Sequence, residues 1–208
     1  ELKKLRYPAE TPMTPDPQTG SYLAIYWVLK GFHDEWNRWS VDTVKNLHAT
    51  GRMFTERDHI HTLLYNHEWS IQNGEHNTPV EQALDRNFKG IIINVGELAP
   101  GKSHADIEAW TRDVWAPRAM SKKWGPELIL NSTPLPLLDD APPDVPRTAN
   151  ADRRFMQIHF VDRDPRKGWD KGYAKYGEAL NESGIATHLW TAPFIQTVFG
   201  TDKYTDQL

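Results

Sequence analysis

Polar and apolar residues alternate along 58–67 (DHIHTLLYNH), which reads as a β-strand. Side chains on a strand point to opposite faces in turn, so His59, His61, Leu63, Tyr65 and His67 share one face, with Ile60, Thr62 and Leu64 behind them. The same alternation predicts a strand over 22–29 (YLAIYWVL), with Leu23, Ile25, Trp27 and Leu29 on one side and Tyr22, Ala24, Tyr26 and Val28 on the other. Between them, Trp36, Trp39, Val44 and Leu47 recur at helical spacing and predict a helix over 34–49, stopped by Gly51. Residues 69–80 are turn-rich around Asn73-Gly74, and a short helix is expected over 79–87.

A second passage starts with an apolar strand at 90–95 (GIIINV). A helix then opens at Ser103, where Asp106 occupies the reciprocal capping-box position, and Pro117 should kink or restart it. The strand 127–133 (ELILNST) returns. Residues 134–150 are rich in proline and read as a connector. The third passage has a strand at 155–161 (FMQIHFV), a helix carrying Trp169, Tyr173, Tyr176 and Leu180, and a strand at 186–192 (ATHLWTA).

Strands that are apolar on one side only argue for α+β architecture, with helices on one face of the sheet. A doubly wound parallel sheet needs strands that are apolar on both faces. One face reads Leu23/Ile25/Trp27, Ile60/Leu64 and Met156/Ile158/Phe160; the other reads Tyr22/Tyr26, His59/His61/Tyr65/His67, Gln157/His159 and His188/Trp190. If helices cover the apolar set, the polar set lines a cavity between two sheets. The expected organisation is an extended arm over 1–21, a first repeat over 22–133, a connector over 134–152, and a second, partial repeat with its tail over 153–208.

Composition narrows the function classes. A formal charge of -4, with scattered Lys and Arg, provides no field for nucleic acid. No apolar run approaches the roughly 18 residues of a membrane span, so no membrane partner is expected. With no cysteine there is no disulfide, thiolate metal site or cysteine nucleophile, which suits a cytoplasmic location. Aromatics make up 11% of the chain and serve a core or an aromatic-lined small-molecule pocket.

The histidine face carries the chemistry. His59-x-His61 has a spacing able to chelate a metal, but Glu68 points away from that face, and acid/base work by one His beside a Tyr needs less. The expected catalytic set is His61 as general base with His59, Tyr65, His159 and His188; Tyr22, Tyr26, His67, Gln157 and Trp190 are expected to contact substrate. Neither metal nor cofactor is expected. Nucleotide-binding and nucleophile-elbow motifs do not occur, which leaves proton transfer on a small oxygenated molecule.

The run Asp34-Glu35-Trp36-Asn37-Arg38-Trp39, the segment Ala49-Thr50-Gly51-Arg52 and the ending from Pro193 to Leu208 (PFIQTVFGTDKYTDQL) resemble EthD-like members of the dimeric α+β barrel superfamily. The resemblance covers about a quarter of the chain. It implies ferredoxin-like repeats whose sheets close a barrel, often across a homodimer. The chain departs from the pattern after Trp39, where Ser40-Val41-Asp42 stands in place of a His-bearing run, so no role attached to that histidine carries over. The expected function is a cofactor-independent lyase, decarboxylase, cyclase or isomerase for an aromatic or polyketide-like metabolite; the alternatives are a haem- or metal-dependent oxygenase or peroxidase of the same superfamily and, from another class, a non-catalytic small-molecule-binding protein.

Overall fold

The computed structural model describes residues 23, 25–52, 64–74, 83, 88–136 and 150–195. Five strands form one antiparallel sheet: β1 (Tyr65–Gln72), β2 (Gly90–Leu98), β3 (Leu128–Pro134), β4 (Arg154–Val161) and β5 (Ala186–Phe194), in the spatial order β1-β3-β4-β2-β5. The chain leaves β2, crosses beyond β4 and returns as β3; from β4 it crosses beyond β2 and returns as β5. These two crossovers are helical and make a βαββαβ unit over residues 90–194, compatible with a ferredoxin-like fold, to which β1 adds an edge. Residues 134–152 are the expected connector between two repeats. The strands flanking them, β3 and β4, are hydrogen-bonded neighbours from Leu128↔Phe160 to Ser132↔Met156.

The first crossover begins with α2 (His104–Trp110), whose capping box forms as its sequence predicts: the Ser103 hydroxyl meets the Asp106 N–H, and the Ser103 N–H donates to Asp106 Oδ2 at 2.8 Å. That hydrogen bonding holds the Asp106 carboxyl below its usual range. Pro117 does restart the helix, and the restart takes the form of a π-helical turn, Thr111–Trp115, ahead of α3 (Ala116–Met120). The second crossover breaks into 3-10 turns at Pro165–Gly168 and Tyr173–Lys175 before α4 (Tyr176–Glu182). Trp169, Tyr173, Tyr176 and Leu180 are all fully buried, so the four-three-four spacing identified the inward residues although only the last turns are α-helical.

Further towards the N-terminus, α1 (His33–Ala49) matches its sequence pattern but contains no buried residue. No strand includes residues 25–29, where one was expected. The expected alternation holds only in part: Ile25 and Trp27 pack on the apolar cluster and Tyr26 is exposed, but Leu23 and Leu29, expected on the side of Ile25 and Trp27, are exposed too. Aromatic and branched residues favour an extended chain, but a strand also needs a neighbouring ladder to pair with. Of the expected strand 58–67, residues 58–63 lie outside the described residues. β1 continues past 67 into the segment expected to turn, and the Asn73-Gly74 pair ends it, with Gly74 at φ 84°.

Both faces of the sheet are buried. On one, Ile92, Leu98, Ile129, Phe155 and Val161 pack against Ile107, Trp110, Trp115 and Ala119 of the first crossover and Tyr176 and Leu180 of α4. On the other, Ile93, Val95, Leu128, Leu130, Ile158, Phe160, Trp190 and Ala192 form a second cluster with Phe88 and Ala83.

Candidate functional site

Strand register lines up four polar residues across the sheet. Asn131 of β3 stands opposite Gln157 of β4, Gln157 opposite Asn94 of β2, and Asn94 opposite Thr191 of β5. Paired residues share a face. This rung lies between the helix-facing residues Ile92 and Ile129 on one side and Phe155 on the other, so it faces the helices. All four side chains are at most 1% exposed.

The helices supply the upper half. Gln157 donates from Nε2 to Thr111 Oγ1 at 2.9 Å, and the Thr111 hydroxyl donates to the Ile107 carbonyl at 2.7 Å. The Tyr176 hydroxyl donates to Gln157 Oε1 at 3.1 Å, the same acceptor that His159 Nε2 meets at 3.1 Å. Because Gln157 Oε1 can only accept, His159 carries its proton on Nε2 and leaves the Nδ1 lone pair bare. His188 repeats the arrangement: its Nε2 meets Thr191 Oγ1 at 2.5 Å, the Thr191 hydroxyl donates to Asn94 Oδ1 at 2.8 Å, and His188 Nδ1 has no partner. The rings pack edge-on around Tyr176, with centroids 5.7 Å from His159 and 5.9 Å from His188.

Burial sets the protonation states. It lowers the His159 pKa to about 3. His188 falls to about 4, burial outweighing an opposing influence of the Trp190 backbone. Both imidazoles are therefore neutral at physiological pH. Burial pushes the Tyr176 and Tyr173 hydroxyls well up, so both remain protonated donors.

Several polar atoms around the rung have no protein partner: Asn94 Nδ2, both amide atoms of Asn131, Trp115 Nε1, Tyr173 Oη and the two His Nδ1 atoms. Each such buried group costs about 1–3 kcal/mol when left unsatisfied. They gather in one layer, beneath a π-helical turn that contributes both Thr111 and Trp115. Single π turns inside helices are rare and frequent at functional sites.

Gln157, His159 and His188 from the expected set meet here, but in the layer between helices and sheet. The expected arrangement was the reverse, with helices over Met156, Ile158 and Phe160 and the polar set facing a second sheet. Alternation says which residues share a face; it does not say which face the helices will cover. Trp190 belongs to the apolar cluster on the opposite face. Two residues apart, His188 and Trp190 were expected side by side, but Val95 pairs with Trp190 and Gly96 with His188, leaving Leu189 as a bulge that exchanges the faces.

A second bulge, at Glu68, lies between His67↔Ser132 and Trp69↔Asn131. Tyr65 and His67 precede it on the face of Leu130 and Ile158, so they do not join the rung. The Tyr65 phenol is pushed well up by burial, against a lowering influence from Arg154. Tyr26 is 67% exposed and packs on Trp36 at 5.4 Å, away from the site. Tyr22, His59 and His61 lie outside the described residues. Among the described residues no group of three or more His, Asp or Glu side chains is placed to hold a metal ion, and no helix is long and apolar enough to cross a membrane.

Asn94, Asn131, Thr111, Thr191 and Tyr176 were not expected in a site. For the two asparagines a signal existed: each is a strongly polar residue in the middle of an apolar strand run, GIIINV and LILNST. A central strand buries such a residue, and burial demands a partner. Compared with known proteins, the chain matches no family model, no curated relative and no solved structure.

Proposed function

We propose that the chain is a proton-transfer enzyme for a small, oxygenated aromatic or polyketide-like molecule, of lyase, decarboxylase, cyclase or isomerase type. In this reading the substrate enters the layer between the sheet and the two crossovers. The observation that carries it is the buried rung with its unpartnered amide, hydroxyl, indole and imidazole groups. A ligand bearing several hydroxyl or carbonyl oxygens would satisfy both donors and acceptors there.

The chemistry follows from the protonation states. His159 Nδ1 accepts a hydrogen bond from a substrate hydroxyl or acidic C–H. A pKa near 3 makes it a weak base while the site is closed. Negative charge developing on the substrate raises that pKa, since an imidazolium beside an enolate or phenolate is stabilised by it. The Tyr173 hydroxyl and Asn131 amide are the donors available to that charge. EthD-like membership and a homodimer closing an α+β barrel remain part of this proposal. The apolar face that would line such a barrel is packed against Ile25, Trp27 and Phe88 of the same chain, so dimer closure would rearrange those contacts.

A second reading, ligand binding without turnover, is favoured by the same low histidine pKa values, because strongly buried neutral imidazoles suit recognition better than proton transfer. Asn131→Leu tests both readings against a purely structural rung. It removes two unsatisfied buried atoms at similar volume, so it should raise stability by about 1–3 kcal/mol while abolishing the thermal shift given by hydroxylated aromatic acids. Turnover of a shifting compound by wild type selects the enzyme; a shift without turnover selects the binding protein. A destabilised Asn131→Leu, together with no shift by any such compound in wild type, would overturn both.

A further inference from the structure

Outside the polar layer, the second crossover forms a cleft of about 180 Å³ whose lining includes four cationic residues. Lys123 comes from the end of the first crossover; Arg163, Lys167 and Lys171 come from the segment after β4. Val161 and Pro165 are buried lining residues, and Trp124 forms one wall. The wall is firmly seated. A Cβ at Gly168 would lie 2.3 Å from the Trp124 Cβ, and one at Gly172 would lie 2.3 Å from its indole, so both glycines are required for the indole to sit there. Trp124 also meets Tyr173 edge-on at 5.4 Å.

One carboxylate, Asp164, lines the cleft, and its charge is already engaged. Arg166, which is not a lining residue, grips it with Nε at 2.9 and 3.1 Å and Nη2 at 2.7 Å, and the Arg166 backbone N–H adds a bond at 3.0 Å. Arg166 holds the Asp164 carboxyl below its usual range, with Lys167 contributing. The other four cations form no ion pair among the described residues. A protein with net charge -4 thus concentrates four positive side chains on a small concavity. Clefts lined by one sign of charge focus the field and raise the local concentration of counter-ions.

We infer that this cleft binds a small phosphate-class polyanion, its oxygens held by Lys123, Arg163, Lys167 and Lys171. The site is independent of the proposed reaction. Inorganic pyrophosphate is the probe, titrated calorimetrically into the full chain at low ionic strength, with inorganic phosphate as the weaker comparison. Saturable one-to-one binding of pyrophosphate that weakens as salt is added is expected. The double variant Lys167→Glu/Lys171→Glu, at exposed positions, should bind at least tenfold more weakly with unchanged thermal unfolding. Lys45→Glu/Lys102→Glu makes the same change in net charge away from the cleft and should bind as wild type does. Absence of saturable binding, or equal weakening in both double variants, would overturn the inference.

Discussion

The two faces of the sheet are built from the same strands, yet they solve burial in opposite ways. On the face away from the crossovers, Leu130, Ile158, Ile93 and Trp190 exclude water with no polar demand, apart from an indole N–H without a protein partner. One residue along each strand, the crossover face holds Asn131, Gln157, Asn94 and Thr191 at the same depth. An apolar replacement of that rung would be cheaper, because every unsatisfied buried polar group costs free energy and an apolar group of similar shape does not. Apolar packing, which the crossover face also has around the rung, accounts for stability, and the polar rung calls for another explanation.

The largest expected contrast is obtained by truncating each face in turn. Phe160, buried and packed on Phe88 with ring centroids 4.8 Å apart, should cost about 3–5 kcal/mol on change to Ala, read as a lowered midpoint in urea. Asn131→Leu should move the midpoint the other way. If both variants lose stability by similar amounts, the two faces do the same job and the contrast fails.

Between pH 6.5 and 4, where the depressed carboxyls Asp106 and Asp164 stay ionised, acid should act through the histidines of the polar face. His159 and His188 have folded-state pKa values of about 3 and about 4, below the usual 6.5, so between those limits the unfolded chain binds more protons. Stability is then fully present above pH 6.5 and falls as the pH drops towards 4, by on the order of 3 kcal/mol for each histidine. Urea melts of wild type and His159→Gln across that range check this: the variant should show a shallower slope, and equal slopes would remove His159 as the source.

A smaller effect distinguishes seating from mere packing. In an ordinary helix Gly→Ala stabilises by up to about 1 kcal/mol, but a Cβ on Gly177 of α4 would stand 2.6 Å from His188 Nδ1. Gly177→Ala should instead cost about 1–3 kcal/mol and shift the His188 ring resonances in NMR spectra, leaving those of Trp190 on the other face nearly unchanged. Stabilisation by the alanine would show that the ring is not held where the structure has it.

Much of the framework was readable before any coordinates: α1 within a residue of its bounds, the Ser103–Asp106 cap, the limits of β4, and the inward positions of Trp169, Tyr173, Tyr176 and Leu180. These depend on local periodicity and capping chemistry, which neighbouring residues carry. The gathering of Gln157, His159 and His188 was also readable from alternation. What was not readable depends on partners distant in sequence. Residues 25–29 have strand-like composition, but composition does not create a neighbouring strand. The rung requires the register of four strands, and no single strand records that Asn94 will stand beside Gln157.

The bulge at Leu189 gives β5 a further property. Counting along a regular strand assigns even and odd positions to fixed sides, and the extra residue changes that parity partway along. A polar His188 and an apolar Trp190 can thus each reach the side that suits them although they carry the same parity. Length variation in this strand is consequently not neutral. Straightening the bulge with Leu189 retained would force His188 and Trp190 onto one side, placing either an imidazole in the apolar cluster or an indole in the polar layer, whereas deleting Leu189 would make the two neighbours and keep them on opposite sides. Divergence in β5 should therefore tolerate loss of the residue at 189 and keep the length constant elsewhere.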